Sequence, residues 1–163
     1  SPLTTHLPLK YVTKNITKKK IINNVKKIKY FFESLLNKKP KIAILGLNPH
    51  CETFDKVSEE KKIIIPAIKF LKKINLNVNG PFPADTFFLK KNVDKYDVVI
   101  GMYHDQVLTP IKTLYNFKAI NITLGLPFIR ISPDHGPNNF MIGKNKSDPS
   151  SIFYAMKFIK KIK

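Results

Sequence analysis

The stretch Lys41-Ile42-Ala43-Ile44-Leu45-Gly46-Leu47-Asn48-Pro49-His50 decides the fold. After one lysine it runs apolar, is too short for a helix and stops at a glycine, which is the pattern of a buried strand. On its N-terminal side, residues 17–37 open with Thr17 as an N-cap and place Ile21, Ile22, Val25, Ile28, Phe32, Leu35 and Leu36 at helical spacing, with lysines on the other face. On its C-terminal side, residues 58–74 read as a second helix whose first turn, Ser58-Glu59-Glu60, is acidic. Asn79-Gly80-Pro81-Phe82-Pro83 reads as a loop, Val98-Val99-Ile100-Gly101-Met102 and Ala119-Ile120-Asn121-Ile122-Thr123 as strands, and residues 150–162 as a closing helix. Strands alternating with helices predict an α/β fold, a layered and largely parallel sheet with helices on both faces.

In open sheets of this kind, ligands gather beyond the C-terminal ends of the strands. The first strand leads into the cluster ending at His50, the second into Tyr103-His104-Asp105-Gln106, and the third into Leu124-Gly125-Leu126-Pro127 and then Arg130. His50 and His104 therefore share one edge of the sheet. His6, after Leu3-Thr4-Thr5, can be delivered there too, although the sequence alone does not place it. Three neutral imidazoles can hold a divalent metal and leave positions open for substrate. Equally, a single histidine is often a hydrogen-bonded structural residue, and these intervals match no local metal motif. The fourth histidine, in Pro133-Asp134-His135-Gly136, reads first as part of a turn. The glycines form neither a dinucleotide-binding fingerprint nor a Walker A loop, so any nucleotide is held in another way. Cys51 adjoins His50, but Glu52 and Asp55 nearby would raise its thiol pKa, which favours a small filler over a nucleophile.

With 163 residues the chain suits one domain with a real core and excludes two catalytic domains. Its apolar content of 43% is too high for a disordered tail, while no apolar run approaches the roughly 18 residues that span a bilayer. A soluble, cytoplasmic protein with no membrane partner is expected, and one cysteine excludes a disulfide scaffold and a cysteine-based zinc site. The chain opens at Ser1 within ordinary folded sequence, as a part of a longer polypeptide would. A net charge of +18 raises nucleic acid as a partner. Against that, every basic residue except Arg130 is lysine, clustered on helix-like stretches, whereas base and phosphate readout favours the arginine fork and interleaved aromatics. A solvated face is the better reading. Residues 97–143 depart from this bias, with Lys112, Lys118 and Arg130 balanced by Asp97, Asp105 and Asp134, so something beyond solubility constrains them.

Five segments carry a resemblance. They are Leu3-Thr4-Thr5-His6-Leu7, Leu45-Gly46-Leu47-Asn48-Pro49-His50, Asn79-Gly80-Pro81-Phe82-Pro83-Ala84-Asp85-Thr86, Met102-Tyr103-His104-Asp105-Gln106 and Asn121-Ile122-Thr123-Leu124-Gly125-Leu126-Pro127-Phe128-Ile129-Arg130. In order and spacing the chain resembles the 4-hydroxythreonine-4-phosphate dehydrogenases of pyridoxal phosphate biosynthesis, and residues 1–163 correspond to the C-terminal half of such a two-domain enzyme. The resemblance implies a fold like that of the isocitrate and isopropylmalate dehydrogenases. It also implies a divalent metal (Zn, Mg or Co) on His6, His50 and His104, and substrate contacts from Lys112, Asn121 and Arg130. NAD or NADP would then lie near Asp134, His135 and Gly136, and the enzyme would be a homodimer with its site at the interface. Two departures stand out: Cys51-Glu52-Thr53-Phe54-Asp55 where the family has a glycine-rich acidic loop, and Pro137-Asn138-Asn139-Phe140 where small residues and threonine are usual.

The chemistry so implied is NAD-dependent oxidation of a small phosphorylated substrate, 4-phosphooxy-L-threonine, to a β-keto acid that loses carbon dioxide. The metal acts as a Lewis acid on the secondary alcohol. Asp85 and Asp105 are the carboxylates best placed to orient the amino group or take a proton, with turn capping as the plainer alternative. Relatives acting on other phosphorylated hydroxy acids or on dihydrodiols would share the histidines, and Lys112, Asn121 and Arg130 favour the phosphorylated substrate. Outside the family, a lysine-rich nucleic-acid-binding module and a dimerisation half are the alternatives.

Overall fold

The computed structural model describes residues 1–51, 58–136 and 139–162. A short helix α1 (Val12–Asn15) leads into α2 (Lys18–Leu35). Thr17 is extended, and its hydroxyl accepts a hydrogen bond from the Lys20 N–H, which satisfies one of the donors that a helix start leaves open. Ile21, Val25, Ile28 and Phe31 form the buried stripe of α2.

Strand β1 (Ile42–Leu45) is buried along its whole length and lies at the centre of a sheet ordered β2-β1-β3. Its partners β2 (Val78–Phe82) and β3 (Val98–Ile100) both run parallel to it. Successive side chains of β1 point to opposite faces, so one strand seeds two cores. Ile42 and Ile44 pack with α2 and with α3 (Ile65–Lys73) through Ile21, Val25, Ile68 and Leu71. Ala43 and Leu45 pack beneath α4 (Ala84–Phe87), α5 (Lys90–Val93) and α6 (His104–Tyr115) through Phe87, Val93 and Val107. Helices on both faces of a parallel sheet are as expected.

The helix expected over 58–74 opens with a wider π turn, Glu60–Ile64, before α3 begins. Pro66 has no N–H to give to that turn and sits in the first turn of α3, where none is needed. Residues 79–83, expected as a loop, instead contribute most of β2. Gly80 has φ 135°, and a Cβ there would stand 2.3 Å from the Ile44 carbonyl oxygen, so glycine is what lets the two strands approach. Pro81 is tolerated because β2 is an edge strand.

The strand expected at 119–123 forms as β4 (Ile120–Thr123), but it does not join the parallel sheet. It pairs antiparallel with β5 (Arg130–Pro133) in a separate two-stranded sheet. Helix α7 (Ser150–Ile159) packs on this hairpin, and the buried Ser151 ties the three together: its hydroxyl donates to the Ala119 carbonyl at 2.6 Å and accepts from the Asp134 N–H at 3.0 Å. Phe158 of α7 stacks on Phe31 of α2, with ring centroids 6.4 Å apart. Among the described residues no helix is long and apolar enough to cross a membrane.

Candidate active site

Adjacent strand ends deliver the histidines. Residues 1–3 run alongside β3, with Pro2 bridged in parallel to Gly101, and the Leu3 N–H donating to the Gly101 carbonyl at 2.8 Å. The buried Thr4 then donates its hydroxyl to the Met102 carbonyl at 2.8 Å. That bond fixes the segment just before His6, and the next turn of chain brings the His6 ring to 5.7 Å from the His104 ring, centroid to centroid. Two imidazoles sharing one tetrahedral ion at metal–nitrogen distances of about 2 Å would have centroids about 5 Å apart. His104 opens α6, and its Nδ1 lies 2.7 Å from the Asp105 carboxylate, which leaves Nε2 for a ligand.

His50 arrives on the turn Pro49–Cys51, just beyond β1. His50 at φ 57° and Cys51 at φ 55° are both left-handed, as is His6 at φ 54°. Each such residue costs on the order of 1–3 kcal/mol, and conformations of this kind cluster at functional sites. The His50 ring sits beside Asp85, Nδ1 to carboxylate oxygen 3.6 Å, which is an ion-pair distance and longer than a hydrogen bond. Among the described residues, no group of three or more His, Cys, Asp or Glu side chains is placed to hold a metal ion. Thus His6 and His104 come together, while His50 shares their sheet edge with its ring turned to Asp85. None of the three lies in a core.

An open groove of about 1410 Å³ runs between α2, α6 and the β4–β5 hairpin. His6, His104 and Asp105 line it, as do Lys112, Asn121 and the run Asp134, His135 and Gly136. Lys112, on the same α6 as His104, bonds both the Asp134 carbonyl and its carboxylate, the latter at 2.8 Å. Arg130 stands exposed at the start of β5, and its Nη1 donates to Thr123 Oγ1, a residue of the groove wall, at 2.9 Å. A groove that carries imidazoles, a carboxylate, an ammonium group and an amide suits a small polar anion.

Sequence reading missed two groups here. Glu60, expected only as part of an acidic first turn, is fully buried and accepts hydrogen bonds from the N–H groups of Leu47 and Asn48. Gln106 links the two strand ends, giving its amide N–H to the Gly46 carbonyl and accepting from the Met102 N–H, both at 2.7 Å. Only the adjacency of β1 and β3 reveals that bridge. Burial pushes the Cys51 thiol up, with the Glu60 and Asp85 carboxylates adding to it, in keeping with a small filler. Glu52 and Asp55, to which the sequence reading gave that role, lie outside the described residues, as do Pro137 and Asn138.

A family-wide sequence model described as pyridoxal phosphate biosynthetic protein PdxA matches residues 1–159. The chain belongs to the PdxA family. It is 49% identical over 156 residues to a 4-hydroxythreonine-4-phosphate dehydrogenase of Sulfurihydrogenibium sp. (strain YO3AOP1), covering 94% of this chain and 48% of that relative. The Aquifex aeolicus protein of the same name is 42% identical over 158 residues, covering 96% and 49%. This PdxA-family chain therefore spans about half the length of the curated relatives it matches. A crystal structure of 4-hydroxythreonine-4-phosphate dehydrogenase from Klebsiella pneumoniae superposes with a TM-score of 0.81 at 33% identity, over 96% of this chain and 48% of that one. A terephthalate 1,2-cis-dihydrodiol dehydrogenase from Burkholderia xenovorans LB400 superposes with a TM-score of 0.75 at 22% identity, over 98% and 51%, and so shares the fold.

Proposed function

We propose that the chain forms half of the active site of an NAD- or NADP-dependent dehydrogenase acting on 4-phosphooxy-L-threonine in pyridoxal 5'-phosphate biosynthesis. The observation that carries this reading is the opening of the His6–His104 pair, Lys112 and Asn121 onto one groove. In the net reaction the secondary alcohol gives a hydride to the nicotinamide and its hydroxyl proton to a base. The β-keto acid so formed loses carbon dioxide to leave 3-amino-2-oxopropyl phosphate.

In support of a divalent cation, the exposed His6 and His50 and the half-buried His104 lie at one sheet edge, and His104 already has its Nδ1 held by a carboxylate. When bound by His6, His50 and His104, such an ion supplies Lewis acidity that eases loss of the hydroxyl proton. Asp105 holds the tautomer of His104, and Asp85 stands beside His50, which makes these two carboxylates the candidate bases for the hydroxyl proton. Lys112 spends donors on Asp134 and retains one for a phosphate, while Arg130 keeps the rest of its planar fork for the same anion. Asn121 of β4 lines the same groove as Lys112 and offers a neutral donor and acceptor. Asp134, His135 and Gly136, on the same groove, support contact with the cofactor's adenosine end.

The fold is shared with a dihydrodiol dehydrogenase, so the phosphate preference rests on Lys112, Asn121 and Arg130. The full-length protein should be assayed with 4-phosphooxy-L-threonine, its dephosphorylated form and an aromatic cis-dihydrodiol, each with NAD and NADP. Reduction of cofactor with the phosphorylated substrate alone is expected. Turnover of the dihydrodiol in preference to it would overturn the reading.

A further inference from the structure

We infer that Glu60 is a positioning residue that fixes the turn bearing His50, an inference that rests on the reading of His50 as part of the site. Glu60 is a fully buried carboxylate, and neither substrate nor cofactor reading gives it a task. One oxygen accepts from the N–H groups of Leu47 at 2.7 Å and Asn48 at 2.8 Å, and the other accepts from the Asn48 side-chain amide at 2.7 Å. The same amide also donates to Glu59 at 3.0 Å. All of these donors lie between the end of β1 and His50. Bonds from N–H groups to an ionised carboxylate are among the stronger ones, and they are stronger still away from water.

The anchor sits where the chain needs one. Beyond Asn48 and Pro49 the backbone turns through two left-handed non-glycine residues, His50 and Cys51, whose strain persists only if the surroundings hold it. Gly46 shows how closely the parts are fitted, because a Cβ there would stand 2.6 Å from Cys51 Sγ and 3.1 Å from Glu60 Oε1. The π turn that carries Glu60 is the element that aims it at the strand end, and such turns occur often at functional sites. Glu60 therefore acts on the candidate ligand through the backbone, without touching it.

The test uses the full-length protein with Glu60→Gln, which keeps the volume and loses the charge, and Glu60→Asp, which keeps the charge and loses the reach. Glu33→Gln, on the outer face of α2, serves as a control. Two readouts are needed: hydrogen exchange of the peptide spanning residues 46–51, and affinity for Co²⁺ read from its visible absorption band. In both Glu60 variants the turn should lose at least tenfold of its protection, and Co²⁺ affinity should fall roughly 10–100-fold, the usual effect of removing a group that orients a metal ligand. The control should change neither. A turn that stays protected overturns the inference, and so does a loosened turn with unchanged Co²⁺ affinity. Failure of the parent protein to bind Co²⁺ would instead remove the metal reading, with the exchange measurement still deciding whether Glu60 holds the turn.

Discussion

Among single residues, Arg130 states its role most sharply, being the chain's one arginine where lysine serves every other basic position. Thr123 engages one of its nitrogens, and the other donors of the fork remain open to an anion. Arg130→Lys keeps the charge and loses the bidentate geometry. The Michaelis constant of the full-length enzyme for phosphorylated substrate should rise about tenfold, on the order of 1.4 kcal/mol, with kcat changed less. An unchanged constant would remove Arg130 from the site. Residue types alone pointed to His104, His50 and Arg130, because each follows or begins an element at a polar cluster, whereas Lys112, inside α6, was named only through the family resemblance. They could not point to Glu60 or Thr4, whose importance lies in what they bond across the fold: Glu60 the strand end at Leu47 and Asn48, Thr4 the carbonyl of Met102.

At the scale of elements, the amphipathic period of α2 and the apolar run of β1 were legible because each buries one kind of face throughout. The strand β2 was not, since Gly80 and Pro81 are loop residues by propensity and become strand residues only against the Ile44 backbone at a sheet edge. Helix α6 was hidden by Pro110 within it, and the antiparallel pairing of β4 with β5 spans an irregular stretch that carries no periodicity. The join between α2, β1 and β3 makes a prediction of its own. Asp97 pairs with Lys38 and accepts from the Lys41 N–H at 2.9 Å. Burial pushes its carboxyl up, but the bonds and charges of Lys38 and Lys41 more than offset this and hold it below the usual carboxylate range. A carboxylate depressed on folding stabilises the fold above its unfolded pKa, and that contribution is lost as pH falls through the folded value. Asp97→Asn should cost about 1 kcal/mol at neutral pH. In thermal melts, the gap between variant and parent should narrow as pH drops below about 4, near the free carboxyl pKa. A gap that stays constant with pH would show that Asp97 contributes through shape alone.

For the molecule as a whole, much apolar surface stays exposed. Phe128, Phe140, Ile142 and Phe153 are 62%, 84%, 77% and 62% exposed, and they belong to the hairpin, the segment after it and α7. Large apolar side chains left this exposed on neighbouring elements are what a surface covered by another chain, or by another part of the same chain, would show. With the chain spanning about half of its relatives, this supports a homodimer of the full-length protein with the site at the interface. Light scattering at micromolar concentration should give twice the chain mass, and a fully active monomer would refute it. His6, His50 and His104 are proposed to serve one metal site, although in this structure only His6 and His104 face each other. The deciding experiment is titration of the full-length protein with Co²⁺, alongside His6→Ala, His50→Ala and His104→Ala. One ion per chain is predicted, with affinity lowered at least a hundredfold by each substitution, whereas parental affinity in His50→Ala would show that the site does not include that residue.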